Sequence, residues 1–389
     1  MATSDVVIIG AGVIGAACAY YAARAGLTVT VVDRGPVAGG TSGAGEGNIL
    51  VSDRTPGPEL GLGLLSARLW RDLAADLGDV FEYEAKGGLV VARTAATIDR
   101  LREFAVRQRT AGVEAVEVAG PDGFADYEPH LAPGFAGGMF YPQDAQVQPM
   151  LAAAHMLRAA RERHGARVLT GVAVTGLLSA GGRITGVRTT DGDIGAGAVV
   201  NAAGTWGGEI ARMAGLHLPI RPRRGFILVT EPLPARAGGP LIRHKVYTAQ
   251  YMANVASDAA CLETSAVVEG TRAGTVLIGA SRERVGFDRT ISLPVLRRLA
   301  RQAIALFPVL AEVAAIRAYC GFRPYSPDHL PVIGADPRAP GLLHAGGHEG
   351  GGIGMAAGTG HLIAQVLTGV APGLDLAPFR PDRFAESAA

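Results

Sequence analysis

An unbroken strand, turn, helix, strand pattern over the first thirty-three residues constrains this 389-residue chain more than any other stretch. Asp5-Val6-Val7-Ile8-Ile9 is a short apolar run with no helical period, which predicts a buried strand. Gly10-Ala11-Gly12-Val13-Ile14-Gly15 follows at once, and residues 16–25 read as an alanine-rich helix ended by Gly26. Residues 27–32 form a second β-branched run with Asp33 at its tip. Strand, tight turn, helix, strand and acid together make the dinucleotide-binding βαβ unit.

Each part of that unit has a physical task. Gly10 allows the sharp turn, Gly12 lets a pyrophosphate approach the backbone, and Gly15 lets helix and strand pack closely. The helix N-terminus offers free N–H groups and the positive end of a dipole. Asp33, eighteen residues past Gly15, is placed to accept hydrogen bonds from a ribose hydroxyl. A dinucleotide is expected here.

At roughly 150 residues per domain, the length predicts two to three domains. The formal net charge is +1 with both signs interspersed, so neither nucleic acid nor an anionic membrane surface is an expected partner. There is no run of eighteen apolar residues to span a membrane, and no basic stretch like that of a secretory signal. Cys18, Cys261 and Cys320 are scattered without CxxC spacing, so no metal site is expected. Reduced thiols in the cytoplasm are the default reading.

Residues 34–51 are Gly-rich, with Gly39, Gly40, Gly43, Gly45 and Gly47 set among Thr41, Ser42, Glu46 and Asn48. Either this backbone packs against something flat, or it is a mobile surface lid. Helices are expected over 60–77, 98–111, 150–164 and 293–306. Strands are expected over 89–92, 167–169, 173–178, 187–190, 332–334 and 342–345, and a separate sheet over 221–230 and 274–281. Residues 198–206 run from an apolar strand into Asn201-Ala202-Ala203-Gly204-Thr205-Trp206, where small residues let the backbone pass close to a cofactor.

A second Gly-rich turn comes near the C-terminus. Gly346-Gly347-His348-Glu349-Gly350-Gly351-Gly352-Ile353-Gly354-Met355 opens onto a helix reaching about residue 367. A nicotinamide enzyme needs one such turn. Two, at opposite ends of a chain, fit a long cofactor held along its length, namely FAD. Its pyrophosphate would lie at residues 10–15 and the N1–C2=O edge of its ring at residues 350–355, where the helix dipole stabilises the anionic reduced form.

These anchors, with Gly321-Phe322-Arg323-Pro324 and Ser326-Pro327-Asp328, resemble the D-amino-acid-oxidase/glycine-oxidase/sarcosine-oxidase superfamily nearly end to end. Residues 40–59, 81–92 and Val285-Gly286-Phe287-Asp288 are similar to a narrower set, the catalytic β subunits of D-hydroxyproline dehydrogenase, opine oxidase and hydrogen cyanide synthase. The expected fold is α/β, a Rossmann-like FAD-binding domain with a second, α+β substrate domain built on an antiparallel sheet. The FAD-binding domain is expected to be discontinuous, from residues 1–84, 145–215 and 320–389, and the substrate domain from residues 85–144 and 216–319.

The resemblance implies non-covalent, extended FAD and oxidation of an amine C–N bond. Cofactor contacts are implied at Gly10, Gly12, Gly15, Asp33, Arg34, Thr41, Ser42, Val174, Ala203, Gly204, Gly350, Gly351, Gly352, Ile353, Gly354 and Met355. Val13, Ile14, Gly47, Asn48, Trp206, Gly347 and His348 are expected to join them. Arg323 matches the arginine that grips the substrate carboxylate, which suits a planar guanidinium that stays charged when buried. The competing reading is an ordinary ion-pair arginine. Tyr247 and Tyr251 are candidates to hydrogen-bond the substrate, or else are core aromatics. His348 is a candidate polar contact or a satisfied structural histidine.

Two departures from the resemblance bear on chemistry. Sarcosine-oxidase-type relatives tether FAD to a cysteine; that position falls here on Gly321, one residue from Cys320, so a free flavin is expected. They also activate O₂ with a lysine, where this chain has Leu277, which argues for a dehydrogenase. The implied mechanism is hydride transfer from a neutral amine to flavin N5, with D-proline-, D-hydroxyproline-, sarcosine- and opine-like amino acids all open as substrates. Three readings stay open: a self-sufficient dehydrogenase, a subunit passing electrons to partner chains in a hetero-oligomer, and an oxidase making hydrogen peroxide.

Overall fold

The strand Ala2–Ile9 lies parallel to Gly192–Asn201 on one side and to Val29–Asp33 on the other. The computed structural model describes residues 2–234, 240–255 and 257–388. Arg167–Thr170 continues this first sheet beyond Val29–Asp33, and Leu342–Gly346 continues it beyond Gly192–Asn201, both in parallel. Val332–Ala335 closes that edge antiparallel, while Arg183–Thr189 and Val174–Ala180 form a hairpin off Gly192–Asn201. The first strand begins earlier than its apolar run because Ala2, Thr3 and Ser4 pair with residues 194–196. Pairing, more than side-chain character, sets that end.

Helix Val13–Arg24 packs between helices Pro149–His164 and Gly352–Thr368. The approach to the last helix is backbone-close: a Cβ on Gly360 would stand 2.5 Å from the Ala17 carbonyl carbon. Small residues in both helices, Ala16 and Ala17 in one and Ala356 and Ala357 in the other, are fully buried. The apolar side chains around them form the largest core cluster.

The second sheet runs in the order Ala315–Tyr325, Arg221–Thr230, Val276–Arg282, Glu263–Gly270, Lys245–Thr248, Gly88–Ala92, Gly137–Tyr141, Val116–Ala119. All its pairs are antiparallel except Lys245–Thr248 with Gly88–Ala92. The expected antiparallel sheet thus carries one parallel joint. It arises where two chain segments more than a hundred residues apart are spliced side by side. The period-2 alternation is plain: Leu89 and Val91 enter a core packed against helix Leu293–Leu306, while Val90 enters a different core on the other face.

The eleven-residue strand Ala315–Tyr325 has no counterpart in the sequence reading. It crosses the expected boundary at residue 320 and carries Gly321, Phe322 and Arg323 along the edge of the second sheet. Among the described residues no helix is long and apolar enough to cross a membrane.

Candidate active site

One cavity is walled by residues of both sheets and by turns from both ends of the chain. At the first-sheet end Gly10, Gly12, Val13 and Ile14 face it. Gly10 has φ +114°, and a Cβ there would lie 2.4 Å from the Ala202 carbonyl oxygen. Gly15 stands behind the wall: its Cβ would sit 1.9 Å from the Gly10 carbonyl oxygen, so glycine is what lets helix and turn close.

Helix Val13–Arg24 starts with no acidic residue in its first turn, and the Val13 N–H donates to Ser42 Oγ at 2.9 Å. Asp33 accepts from the Ala11 N–H through Oδ2 and from the Gly35 N–H through Oδ1, each at 2.7 Å. Both bonds pin the carboxylate on the cavity wall beside the turn. Arg34 lies with its guanidinium carbon 4.6 Å from the centre of the Trp206 ring, and Val174, Ala203 and Gly204 complete this end. An acid-free helix start beside a fixed carboxylate fits a pyrophosphate followed by a ribose.

Thr41 and Thr205 both donate to the Phe322 carbonyl oxygen at 2.7 Å, joining the Gly-rich loop, the Asn201-to-Trp206 turn and the strand carrying Arg323. That loop is therefore cavity wall and not a detached lid. Farther along, Gly47 (φ +116°) and Asn48 face His348, Gly350, Gly352 and Ile353. Gly347, Gly351, Gly354 and Met355 are not on the wall. The absent side chain of Gly354 lets the last helix press on the Asn48 carbonyl, 3.1 Å from where a Cβ would be, while Met355 is fully buried in the core. Helix Gly352–Thr368 also begins with no acidic residue in its first turn, as an anionic ring edge requires.

His348 pairs with Thr359 Oγ1 at 2.9 Å. Burial, and then the charge of Arg54, push its pKa down to about 3, so it faces the cavity as neutral imidazole. Cys320 turns away from the cavity: its Sγ reaches the Arg289 carbonyl at 3.6 Å, while Gly321 is the residue on the wall. Strand alternation separates the two.

The second sheet supplies the polar end. Arg323 is on the wall, and its Nη1 donates to the Ser281 carbonyl at 2.8 Å. Among the described residues no carboxylate lies within ion-pair distance of it. Burial, and then the neighbouring charge of Arg282, lower its pKa to about 10, which leaves it a cation at neutral pH. Tyr251 is also on the wall. Tyr247 is not: it is fully buried behind Tyr251, their rings edge-on at 4.9 Å, and its hydroxyl is taken by Ser52. Glu46, a buried carboxylate on the wall, receives Asn48 Nδ2 at 2.8 Å on Oε2, and its Oε1 has no hydrogen-bond partner among the described residues.

The sequence pattern of the DAO family, described as FAD dependent oxidoreductase, matches residues 5–366. The chain belongs to that family. It is 32% identical to hydrogen cyanide synthase subunit HcnC of Pseudomonas aeruginosa, over 98% of this chain and 96% of that protein. It is 29% identical to a D-amino acid dehydrogenase of Methylobacterium sp., over 98% of this chain and all of that one (100%). The crystal structure of glycine oxidase from Geobacillus kaustophilus superposes with a TM-score of 0.87 at 28% identity, covering 98% of this chain and 99% of that one. The protein is thus an FAD-dependent enzyme of the amino-acid dehydrogenase and oxidase class, with a Rossmann-like FAD-binding domain and a second domain.

Two arginines near Arg323 escaped the sequence reading. Arg223 stands directly opposite Arg323 in the neighbouring strand, and Arg282 lies with its guanidinium carbon 4.9 Å from the centre of the Tyr251 ring. Both are buried. Their signal was faint: one of three arginines at the start of one apolar strand and a single arginine at the end of another, meaningful once the pairing of those strands is known.

Proposed function

We propose that this enzyme oxidises the C–N bond of a small or secondary amino acid whose carboxylate is held by Arg323. D-Proline-, D-hydroxyproline-, sarcosine- and opine-like substrates all satisfy that chemistry. The observation that carries the reading is a half-buried guanidinium on the wall of the family's cofactor cavity with no carboxylate among the described residues within ion-pair distance. Such a cation is costly unless a ligand anion completes it. Bound FAD, held without a covalent link by both glycine-rich turns, supplies the acceptor for the hydride that leaves the α-carbon.

The chain's own residues bind and orient. Arg323 takes the carboxylate as a bidentate pair and fixes which face of the α-carbon is presented. Glu46 lies on the same cavity and attracts the ammonium, whose proton must leave before the nitrogen lone pair can assist hydride loss. Tyr251 closes the cavity beside them and keeps its proton, since burial raises its pKa. The two sheets correspond in this reading to cofactor-holding and substrate-holding domains, with Ala315–Tyr325 belonging to the second.

The electron acceptor is proposed to be something other than O₂. Leu277, Glu269 and Lys245 lie in one row across three strands, and Lys245 is ion-paired to Glu269 at 3.1 Å. The lysine of that row is thereby neutralised. Similarity to HcnC, a protein named as a subunit, favours electron transfer to partner chains.

Anaerobic flavin bleaching against D- and L-amino acids, N-methyl amino acids and opines tests the reading. At least one should reduce the flavin, and Arg323→Leu should raise its half-saturation concentration steeply. Unchanged saturation removes Arg323 from the site. Fast peroxide formation in air by the chain alone would instead favour the oxidase reading.

A further inference from the structure

Lys245 and Glu269 take no part in the bond-breaking described above, yet they are sealed from solvent, 2% and 0% exposed. Lys245 Nζ donates to Glu269 Oε2 at 3.1 Å, the single hydrogen bond its ammonium makes among the described residues. The pair shares a face of the second sheet with Glu46. Gly279 stands opposite Val267, two residues along the strand from Glu269, and a Cβ on Gly279 would lie 1.8 Å from Glu46 Oε1. Charges then alternate from the cavity outward. Burial works against the Lys245 charge, but Glu269, then Glu46, hold its pKa above the usual lysine value. Burial raises the pKa of Glu269, and Lys245, then Lys86, oppose it. Lys86 in turn meets Glu84 at 3.5 Å nearer the surface. Glu269 is therefore shared between two lysines, and Lys245 is the one that feels the cavity carboxylate.

A buried carboxylate drifts toward its neutral form unless a cation faces it. The charge of Glu46 is felt by Lys245, Arg323, Glu269, Tyr251 and Tyr319. Two of these are cations, and the substrate carboxylate occupies one of them, Arg323, if the reading above holds. Lys245 then remains to oppose burial. We propose that Lys245, held in place by Glu269, is a positioning residue that keeps Glu46 a carboxylate until it takes a proton from the bound ammonium. This rests on the amine-oxidation reading and says where its proton goes. One N–H bond of the ammonium breaks as an O–H bond forms at Glu46 Oε1, the oxygen with no partner among the described residues. The lone pair left on nitrogen becomes the second C–N bond as hydride leaves the α-carbon for the bound flavin.

The test uses the FAD-loaded enzyme and follows the rate of anaerobic flavin reduction at saturating amine against pH. The rate should rise as Glu46 loses its proton. Lys245→Met should move the midpoint of that rise up by about one pH unit or more, because the cation facing Glu46 is gone. Glu269→Gln should move it down, because the lysine then serves Glu46 alone. Lys245→Arg should stay nearer the wild type than Lys245→Met. A pair that served the fold alone would lower the melting temperature in both variants and leave both midpoints in place. Shifts of one sign, or none, overturn the proposal. The double variant Lys245→Met/Glu269→Gln buries no lone charge, so it should fold even where a single variant does not. Its midpoint should still lie above that of the wild type; a midpoint at or below it overturns the proposal. A second readout needs no turnover. Betaine has a quaternary ammonium with no N–H to lose, and 3,3-dimethylbutyrate is its isostere without that charge. By perturbation of the flavin absorbance at neutral pH, betaine should bind at least about tenfold more tightly, a ratio that one charge pair supplies. Glu269→Gln should keep the ratio, and Lys245→Met and Glu46→Gln should cut it. The two readings fail separately. If the betaine ratios follow this pattern while no amine bleaches the flavin, amine oxidation falls and the part of Lys245 stands. If amines bleach it and both single variants keep the wild-type midpoint, the reverse holds.

Discussion

Arg223, fully buried, and Arg323, half-buried, stand directly opposite each other in adjacent antiparallel strands, two cations where cross-strand partners ordinarily attract. Like charges in that position destabilise a sheet pair. Arg223 is offset by Glu263 and Glu349; Arg323 has no ion-pair partner among the described residues and feels Glu46 across the cavity without pairing to it. The site stores its cost in the ligand-free state and recovers it on binding, which is the usual trade between stability and function.

Replacing Arg323 with Met, of similar reach and no charge, should therefore raise the melting temperature of the ligand-free, FAD-loaded protein. The expected gain is on the order of 1 kcal/mol, less whatever the shape mismatch costs. Carboxylate binding should be lost in the same variant. Calorimetry beside a flavin-perturbation titration reads both; a fall in stability with binding intact would show that Arg323 is structural.

Gly225 gives Arg323 its resting place. A Cβ there would lie 2.2 Å from Arg323 Nη1 and 2.6 Å from the Ser281 carbonyl oxygen that Nη1 uses. Gly225→Ala should displace the guanidinium and weaken substrate binding by about tenfold or more, at a stability cost of about 1–3 kcal/mol from overpacking. FAD content should persist, because this residue touches the second-sheet end alone. Flavin absorbance per chain, set against substrate half-saturation, separates the two effects.

The N-terminal half of the site was legible because it is local. Strand, turn, helix and acid lie within thirty-three residues, and Gly10 and Gly15 each let backbone approach where a Cβ would clash. The substrate end was opaque because its parts meet through strand pairing. Lys245–Thr248 and Glu263–Gly270 carry buried charges, Lys245 and Glu269, that look like surface residues until they are seen paired across strands. Tyr247 and Tyr251 looked alike in sequence, yet one lies in a buried strand with its hydroxyl against Ser52 while the other lies in the helix that follows, at the cavity. Nothing within four residues of either distinguishes them.

Ser42 should matter to both fold and cofactor. Its hydroxyl accepts from the Val13 N–H at the buried start of the first helix. Ser42→Ala leaves that donor unpaired, for a loss of about 1 kcal/mol. The apo protein should melt earlier and retain less flavin on gel filtration. A variant with wild-type melting and full flavin content would mean that water replaces the hydroxyl without cost.

Asp144 makes the protein sensitive to pH. Its carboxyl is buried, accepts from the Val51 and Ser52 N–H groups, and contacts the Ser52 hydroxyl that also meets Tyr247. Burial outweighs those bonds and pushes its pKa from 3.8 up to about 7. Between those values the folded protein holds a proton that the unfolded chain has released. Stability should accordingly fall as pH rises through that window, by up to about 1.4 kcal/mol per pH unit, and level off above it. In Asp144→Asn the amide oxygen can keep both backbone donors, and its NH₂ can donate to Ser52, whose own proton turns to Tyr247. That variant should lack the slope, matching the wild type below about pH 4 and exceeding it near pH 8 in urea melts. Parallel curves for the two proteins would assign the pH dependence to other groups.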